Sequence, residues 1–481
     1  MEPYSHSNTP PRIDWGLYDD ESGIIQPHEA LEACVPGGLH TVMLGDTFQG
    51  GRYCIRDKLG YGGYSTVWLA RDLQEEQWVS IKIKKANAST DKLDDDPEIQ
   101  IMRALEKYYV DGPQDRPRSF VRLLAWFHHE GPNGIHNCLV TELLGPSISG
   151  ILKVNKGAGG FLAPDTMLRA SRQLLEGIEF AHQAGFVHGD VSPINVAFTC
   201  NQAFADDEAL IRALGGEPVT AKYISKELPR PPNLPQQLVR TADWGMRYDY
   251  PSEHIRILDW GAAFSLSDRP TSVSQPLGLR SPETVFVGYF DYGHDLWKAG
   301  CVIFTLFYET WPFFHDGFHP FNSHIRTLVD KLGPLPPAWN ARWDEMIAGD
   351  KKLEDEKNND GGEQLITNTF EPRRQAIIQQ CEEVEMVYQR DEYTDDDYEG
   401  LKCLLRVMLG LLRYEPGERI SVEEALSYID WIDHRAEMEE ADIEEADTEE
   451  AETEEADTEE ADTEEAGTEE TGTEKADSLG E

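Results

Sequence analysis

One polar motif between apolar segments constrains the fold more than any other feature of the chain. Asp190 and Asn195 lie five residues apart in the sequence His-Gly-Asp-Val-Ser-Pro-Ile-Asn, directly after residues 164 to 185, whose apolar periodicity predicts an amphipathic helix. A further acidic residue, Asp259, follows the strand-like apolar segment 255 to 258. The sequence therefore places two carboxylates and an amide on loops that leave a predicted helix and a predicted strand.

These three side chains have the chemistry that phosphoryl transfer needs. One carboxylate can position an attacking hydroxyl, while an Asn and a second Asp can hold the metal ions that neutralise the phosphates. Another Asp-Trp-Gly triplet begins at Asp243, but Thr241 and Ala242 precede it and form no apolar strand, so Asp259 is the preferred metal ligand. Such a motif on its own also fits a plain structural loop, and the rest of the chain has to decide.

The charge of the chain narrows the classes of partner. The net charge is −46 over 481 residues, and the segment from Arg435 onward holds 23 acidic residues against Arg435 and Lys475. Both this tail and the remainder are strongly acidic, which argues against direct binding of DNA or RNA and favours a basic partner or substrate. The tail has Ala-Asp-Thr-Glu-Glu repeats from about residue 441 to 465 and almost no apolar residues, so residues 435–481 are predicted to be disordered.

The cysteines and the apolar stretches indicate in which cellular compartment the protein is found. The seven cysteines are scattered without a CxxC pair, which predicts reduced thiols rather than a disulfide framework or a zinc site. Residues 1–15 lack the apolar core of a signal peptide, and no apolar run approaches the roughly 18 residues of a membrane span. We expect an intracellular monomer without a membrane segment, in the cytoplasm, the nucleus or both.

A glycine-rich segment lies between two strand-like segments. Glycines at 60 and 62 let the backbone turn tightly and approach phosphate oxygens with bare N–H groups, although a glycine-rich hairpin without a ligand is the alternative. The candidate nucleotide-binding residues of this segment are Leu59, Gly60, Gly62, Gly63, Ser65 and Val67.

The strand-like segment that follows, residues 78 to 83, alternates in polarity. Its predicted core-facing residues are Val79, Ile81 and Ile83. Because successive side chains of a strand point to opposite faces, Lys82 is predicted to face the cleft. Glu98, in the helical segment that comes next, is the candidate partner of Lys82. Lys84 and Lys85 are expected to be solvated surface residues.

In this order the motifs resemble the eukaryotic protein kinases. Residues 59–67 match the glycine-rich loop, Lys82 the lysine of V-A-I-K, residues 188–195 the catalytic loop, and residues 259–261 the D-F-G motif. Ser-Pro-Glu at 281–283, Asp-Leu-Trp at 295–297 and Arg419, available to pair with Glu283, extend the match through the helical region. The segment from Gly62 to Asp72, the Gly before Asp190 and a long insert resemble most closely the SR-protein kinases, especially their fungal relatives.

The resemblance implies a two-lobed α+β protein kinase fold. Residues 1–52 would form a largely extended lead-in, residues 53–141 a β-rich N-lobe and residues 142–434 a helical C-lobe. An insert at about 200–254 would separate the catalytic loop from the Asp-Trp-Gly motif, and residues 435–481 would form the acidic tail.

The resemblance also implies ATP and Mg²⁺ as cofactors and a role for each motif. Asp190 would be the catalytic base, Lys82 would hold the phosphates, and Asn195 and Asp259 would ligate magnesium. The ATP-binding residues outside the glycine-rich segment would be Lys82, Glu98, Glu142 and Leu144, with backbone groups from Glu142 to Leu144 at the adenine. The implied activity is Ser/Thr phosphorylation of basic, Arg/Ser-rich protein substrates.

Three positions depart from the kinase pattern. Ser192 stands where Ser/Thr kinases carry a Lys that contacts the γ-phosphate, and Pro276 where a Thr normally bonds that Lys and the catalytic Asp. Gly189 replaces the Arg that binds a phosphate on the activation loop, which predicts activity without phosphorylation of residues 265 to 275.

An active protein kinase is the preferred interpretation of the sequence. A nucleotide-binding pseudokinase scaffold and a small-molecule kinase of the aminoglycoside or choline type are the alternatives.

Overall fold

The computed structural model describes residues 17–19, 26–113, 117–158, 162–200, 207–225, 229–244, 253–273, 275–313, 323–359 and 394–429. The predicted acidic tail and residues 1–16 and 20–25 of the predicted lead-in lie outside these ranges.

The described residues combine a sheet-rich N-terminal part with a helical C-terminal part. The strands are β1 (Thr47–Phe48), β2 (Tyr53–Tyr61), β3 (Ser65–Asp72), β4 (Gln77–Lys84), β5 (Leu123–Gly131), β6 (Gly134–Glu142), β7 (Phe186–Val187), β8 (Val196–Phe198), β9 (Thr220–Lys222), β10 (Gln237–Val239), β11 (Ile255–Ile257) and β12 (Phe264–Ser265). The α-helices are α1 (Pro97–Asp111), α2 (Ile148–Ala158), α3 (Pro164–Gln183), α4 (Asp207–Ala213), α5 (Glu283–Phe286), α6 (Tyr292–Tyr308), α7 (Ser323–Leu332), α8 (Asn340–Asn359), α9 (Asp395–Leu411) and α10 (Val422–Ser427).

The N-terminal part is an antiparallel sheet with the strand order β1-β2-β3-β4-β6-β5. Its core follows from the alternation along β4, where Val79, Ile81 and Ile83 are fully buried as predicted. Helix α1 follows, and Asp96 caps it by accepting hydrogen bonds from the backbone N–H groups of Glu98 and Ile99. The cap fixes the start of α1, whose second residue, Glu98, faces Lys82.

The C-terminal part is organised around the apolar helix α6, which is buried along most of its length. The predicted apolar side of α3 is present, with Leu168, Leu175, Ile178 and Ala181 all buried. The helix ends at Gln183, and Gly185 adopts the left-handed φ of 90° that glycine tolerates best. None of the helices that the structure describes combines the length and the apolar character needed to cross a bilayer.

Two short strand pairs set the position of the polar loops. Strands β8 and β11 pair antiparallel, with Val196 opposite Ile257. Because β8 begins directly after Asn195 and β11 ends two residues before Asp259, the pairing brings the two loops side by side. The backbone N–H of Leu258 donates to the carbonyl of Asn195 at 3.0 Å.

The segment between β8 and β11 packs on the N-terminal sheet. Strands β9 and β10 pair with each other, and Val239 of β10 is fully buried in the core of the sheet. Lys58 of β2 ties this segment down: it is 1% exposed, and its ammonium group donates to the carbonyl of Val239 at 2.8 Å and to the carboxylate of Glu29 at 2.5 Å. One buried cation thus joins the segment before β1, the sheet and β10.

We expect Lys58→Met to destabilise the protein by about 3–5 kcal/mol, because it leaves the carboxylate of Glu29 buried without its cation. The double variant Lys58→Met/Glu29→Gln should recover part of that loss, since no unpaired charge remains. Chemical denaturation measures both, with Arg56→Met, an exposed position on the same strand, as the control. A Lys58→Met variant as stable as the control would contradict the prediction.

Candidate active site

Lys82 lies at the centre of a pair of short ion contacts. Its Nζ is 2.6 Å from Oε1 of Glu98 on α1 and 2.7 Å from Oδ1 of Asp259. Burial disfavours the charged ammonium, but the attraction of the two carboxylates outweighs burial and raises the pKa of Lys82 above its ordinary value. The same contact with Lys82 lowers the pKa of Asp259. The two contacts of Lys82 tie the sheet, α1 and the loop after β11 to one point.

The expectation that Lys84 is a solvated surface residue is wrong. The Lys84 side chain is 12% exposed, and its Nζ lies 2.8 Å from the Asp96 carboxylate and 3.6 Å from that of Glu98. The reason is the period of a strand: the alternation that turns Lys82 towards α1 turns the residue two positions on to the same face.

Asp259 has a backbone conformation that few residues adopt. Its φ is 63° and its ψ is 72°, in the left-handed region, which turns the chain sharply between β11 and Trp260. Trp260 is 1% exposed and packs edge-on against the ring of His188, with 4.6 Å between ring centroids. The buried Trp260 holds the turn, and the turn presents the Asp259 carboxylate to Lys82.

Asp295, near the start of α6, anchors the loop that carries Asp190. Its carboxylate is fully buried and accepts the backbone N–H groups of His188 and Gly189 at 2.7 and 2.9 Å, and His182 Nε2 lies 3.0 Å away. Burial would raise the pKa of Asp295, but the contacts with His182 and the other neighbouring histidines lower it to about 2. The loop is thus fixed through its backbone by an ionised carboxylate.

Gly189 is held in a conformation that excludes a side chain. Its φ is 79°, and a Cβ at this position would lie 2.6 Å from the carbonyl oxygen of Ala262. Its own carbonyl faces Nε2 of the buried His294 at 3.1 Å. A larger residue here would require the backbone to shift, which is a physical reason for glycine beside Asp190.

Asp190 and Asn195 face each other across the loop. The Asn195 side-chain amide donates to the carbonyl and to Oδ2 of Asp190 at 2.9 and 3.0 Å. Burial raises the pKa of Asp190, opposed mainly by the charge of Lys298. The Asp190 side chain is 30% exposed, so its carboxylate is open on one side while its backbone is fixed.

The glycine-rich segment forms the β2–β3 hairpin, closed by a hydrogen bond from the Gly62 N–H to the Ser65 carbonyl at 2.8 Å. Gly60, Gly62 and Gly63 do not adopt a left-handed φ, so the tight turn invoked for them is not the reason for glycine. A Cβ added at any of the three would meet no atom within 4 Å. The segment leaves open space above the sheet.

The remaining predicted nucleotide-binding residues lie on strands β2 and β3 or just after β6. Strand pairing places Val67 opposite both Gly60 and Lys82, and Ser65 is 8% exposed. Leu59 packs in a cluster with the buried Leu143, next to the half-buried Leu144.

Glu142, at the end of β6, is engaged with its neighbours. Its Oε1 accepts the backbone N–H of Arg122 at 2.7 Å and lies 3.7 Å from the guanidinium Nε of Arg256. Asp243, the rejected alternative to Asp259, forms an exposed ion pair with Lys153 at 3.3 Å.

These residues fit ATP and Mg²⁺. A carboxylate and an amide oxygen, from Asp259 and Asn195, are the hard oxygen ligands that Mg²⁺ prefers. In the part of the chain that the structure describes, no group of three or more His, Cys, Asp or Glu could enclose a metal. Two protein ligands suit an ion that takes its other oxygens from water and phosphate. The open space above the three glycines offers room for phosphates close to the Lys82 ammonium.

Sequence reasoning missed the residues of α6 that support the loop from below. His294 is buried and links the Gly189 carbonyl to Ser281, whose hydroxyl lies 3.0 Å from Nδ1 of the His294 ring. Lys298 is also fully buried, beneath Asp190. The signal in the sequence was a lysine within residues 296 to 308, which are otherwise almost wholly apolar.

Glu283 and Arg419 form a buried, two-pronged ion pair with distances of 2.8 and 2.7 Å. Burial would raise the pKa of Glu283, but its hydrogen bonds with Arg419 and the nearby ring of His294 lower it to about 2. The pair joins the first residue of α5 to the turn before α10.

We expect Glu283→Gln to destabilise the protein by about 3 kcal/mol, because Arg419 then stays buried without a carboxylate. A lowered pKa in the folded state gives stability that is present above the unfolded value of about 4.3 and is lost as the pH falls towards the folded value. The unfolding midpoint of the wild type should therefore fall more steeply below about pH 5 than that of Glu283→Gln. Thermal melts across this range test it, with the exposed Glu423→Gln as control; parallel slopes for all three proteins would contradict the assignment.

Comparisons with known proteins give several relatives. The chain is 25% identical over 426 residues to the serine/threonine-protein kinase SRPK of Physarum polycephalum, which covers 86% of this chain and 92% of that kinase. It is 31% identical to the serine/threonine-protein kinase SKY1 of Saccharomyces cerevisiae over 169 residues, 35% of this chain and 22% of that kinase. It is 34% identical to SRSF protein kinase 3 of Homo sapiens over 172 residues, 35% of this chain and 29% of that kinase. No protein-family model matches the chain.

Proposed function

Because the chain is a serine/threonine protein kinase related to the SR-protein kinases, we propose that it transfers the γ-phosphate of ATP to Ser or Thr hydroxyls in basic, Arg/Ser-rich proteins. The observation that carries this proposal is the double contact of Lys82 with Glu98 and Asp259. In protein kinases both the lysine–glutamate pair and the metal-binding Asp must be in place for catalysis, and here both groups meet one ammonium.

Each of the predicted site residues would have a separate role in this phosphoryl transfer. Asp190, fixed through its backbone and open on one side, would accept the proton of the attacking hydroxyl. Lys82 would hold the phosphates beneath the β2–β3 hairpin, with Glu98 keeping its ammonium in place. Asn195 and Asp259 would hold Mg²⁺, which when bound neutralises the charge of the phosphates.

The charge of the protein favours a basic substrate. With a net charge of −46, the protein attracts basic peptides and repels other polyanions. Arginine suits such a surface because its planar guanidinium forms bidentate hydrogen bonds with carboxylates. Acidic character alone favours any basic peptide; the relation to SR-protein kinases is what favours serine next to arginine.

The proposal predicts transfer of labelled γ-phosphate from ATP and Mg²⁺ to an Arg-Ser repeat peptide. Asp190→Asn and Lys82→Met should each lower kcat by about 100-fold or more, because each removes a group that acts on the reacting atoms. Lys85→Met, a lysine of the same region without a contact to Glu98 or Asp259 among the described residues, is the matched control. A Lys-Ser and a Glu-Ser repeat separate a preference for arginine from a preference for any positive charge.

The outcomes separate the alternatives. No transfer to any peptide, with ATP still bound, would favour the scaffold function and implicate Ser192 and Pro276. Transfer to a small alcohol instead of a peptide would favour a small-molecule kinase. Equal transfer to all three repeats would contradict the proposed substrate class and leave the kinase activity standing.

We further propose that the kinase is active without phosphorylation of residues 265–275. The loop that carries Asp190 is held by the buried Asp295, and Gly189 offers no side chain that could bind a phosphate. Replacing the Ser and Thr residues of this segment by Ala should leave kcat unchanged in protein that mass spectrometry shows to be unphosphorylated. A rise in rate on phosphorylation of this segment would overturn the proposal.

A further inference from the structure

Helix α6 carries a lysine in a place where a charge is costly. Lys298 is 0% exposed, and its Nζ has no hydrogen-bond partner among the residues that the structure describes. Lysines are almost never fully buried unless they are paired, because removal of the ammonium from water has to be compensated. A buried ammonium at this position therefore requires a nearby negative charge.

The nearest carboxylate is that of Asp190. Its Oδ1 lies 3.8 Å from the Lys298 Nζ, and this oxygen also has no hydrogen-bond partner among the described residues. The other oxygen, Oδ2, accepts the amide of Asn195 at 3.0 Å. The carboxylate is thus held from two directions, by an amide on its own loop and by a cation that rises from α6.

The loop itself supplies no cation at position 192, where Ser/Thr kinases carry a lysine. Ser192 is 5% exposed and bears a neutral hydroxyl, and Pro276 lies exposed on the surface. Asp295 lies one turn before Lys298 on α6 and already accepts the two backbone N–H groups of the loop. The same helix therefore holds the loop through its backbone and faces the carboxylate of Asp190 with a charge.

We propose that Lys298 is a positioning residue for the transfer reaction, and that its buried ammonium orients the Asp190 carboxylate from beneath. The inference rests on the proposed function, since orientation of Asp190 matters only if Asp190 accepts the substrate proton. Lys298 has no exposed surface, so it acts through Asp190 and not on the phosphates.

The kinetic test is Lys298→Met, which keeps the length of the side chain and removes its charge. With rates normalised to the fraction of protein that binds an ATP analogue, kcat should fall by about 10–100-fold while KM for ATP and for peptide stays the same. In an Asp190→Asn background the same replacement should have no further effect on kcat, because the group that it orients has lost its charge. Ile303→Ala, which removes a fully buried side chain from the same helix, should lower the melting temperature without this pattern.

A second measurement needs no activity at all. If the two groups are partners, Asp190→Asn leaves the Lys298 charge buried alone, and the double variant Asp190→Asn/Lys298→Met should melt at a higher temperature than Asp190→Asn. Melting temperatures whose shifts simply add would overturn the pairing, and so would equal losses of kcat from Lys298→Met with Asp190 present or replaced. A wild type that transfers no phosphate while the stability coupling is present would instead overturn the proposed function and leave the pairing intact.

Discussion

The position of the loop that carries Asp190 and Asn195 depends on one buried carboxylate, that of Asp295. A charge fully removed from water is tolerated only when hydrogen bonds satisfy it, and Asp295 obtains them from the backbone of the loop that it fixes. Because α6 is apolar along most of its length, it cannot shift without exposing its buried surface to water. The loop that carries Asp190 is therefore fixed to the buried helix α6.

A second set of constraints comes from the sheet. Lys82 contacts Glu98 and Asp259 at the same time. Its ammonium therefore fixes α1 and the loop after β11 relative to β4. The segment between β8 and β11 adds to this, since it leaves the helical part and buries Val239 in the sheet, where Lys58 holds its backbone. This segment begins and ends in the helical part and packs on the sheet in between, so it joins the two parts through its own backbone and through its contacts. Relative motion of the two parts then has to carry this segment along.

How much of this could be predicted from the sequence depends on the range of the interaction. The alternation along β4 and the apolar side of α3 are local patterns, and they predicted the buried faces. The alternation rule would also have predicted the inward direction of Lys84, had it been applied one step further. The burial of Val239 in the sheet could not be predicted, because its partners are more than a hundred residues away and β10 is only three residues long. The motifs predicted that Lys82 meets Glu98, but not that Gly60, Gly62 and Gly63 have open space around them and no left-handed φ.

The buried charges beneath the loop differ in how they are compensated, and that difference bears on what they do. Glu283 and Arg419 satisfy each other with two short hydrogen bonds, as expected of a pair whose purpose is to hold two segments together. Lys298 and Asp190 are 3.8 Å apart and share no hydrogen bond, so the charge of Lys298 acts on Asp190 without occupying a carboxylate oxygen in a hydrogen bond. A carboxylate that must exchange a proton with a substrate cannot have all its oxygens committed to strong hydrogen bonds. A cation held just beyond hydrogen-bond distance stabilises the charge of such a carboxylate and leaves its lone pairs available for the reaction.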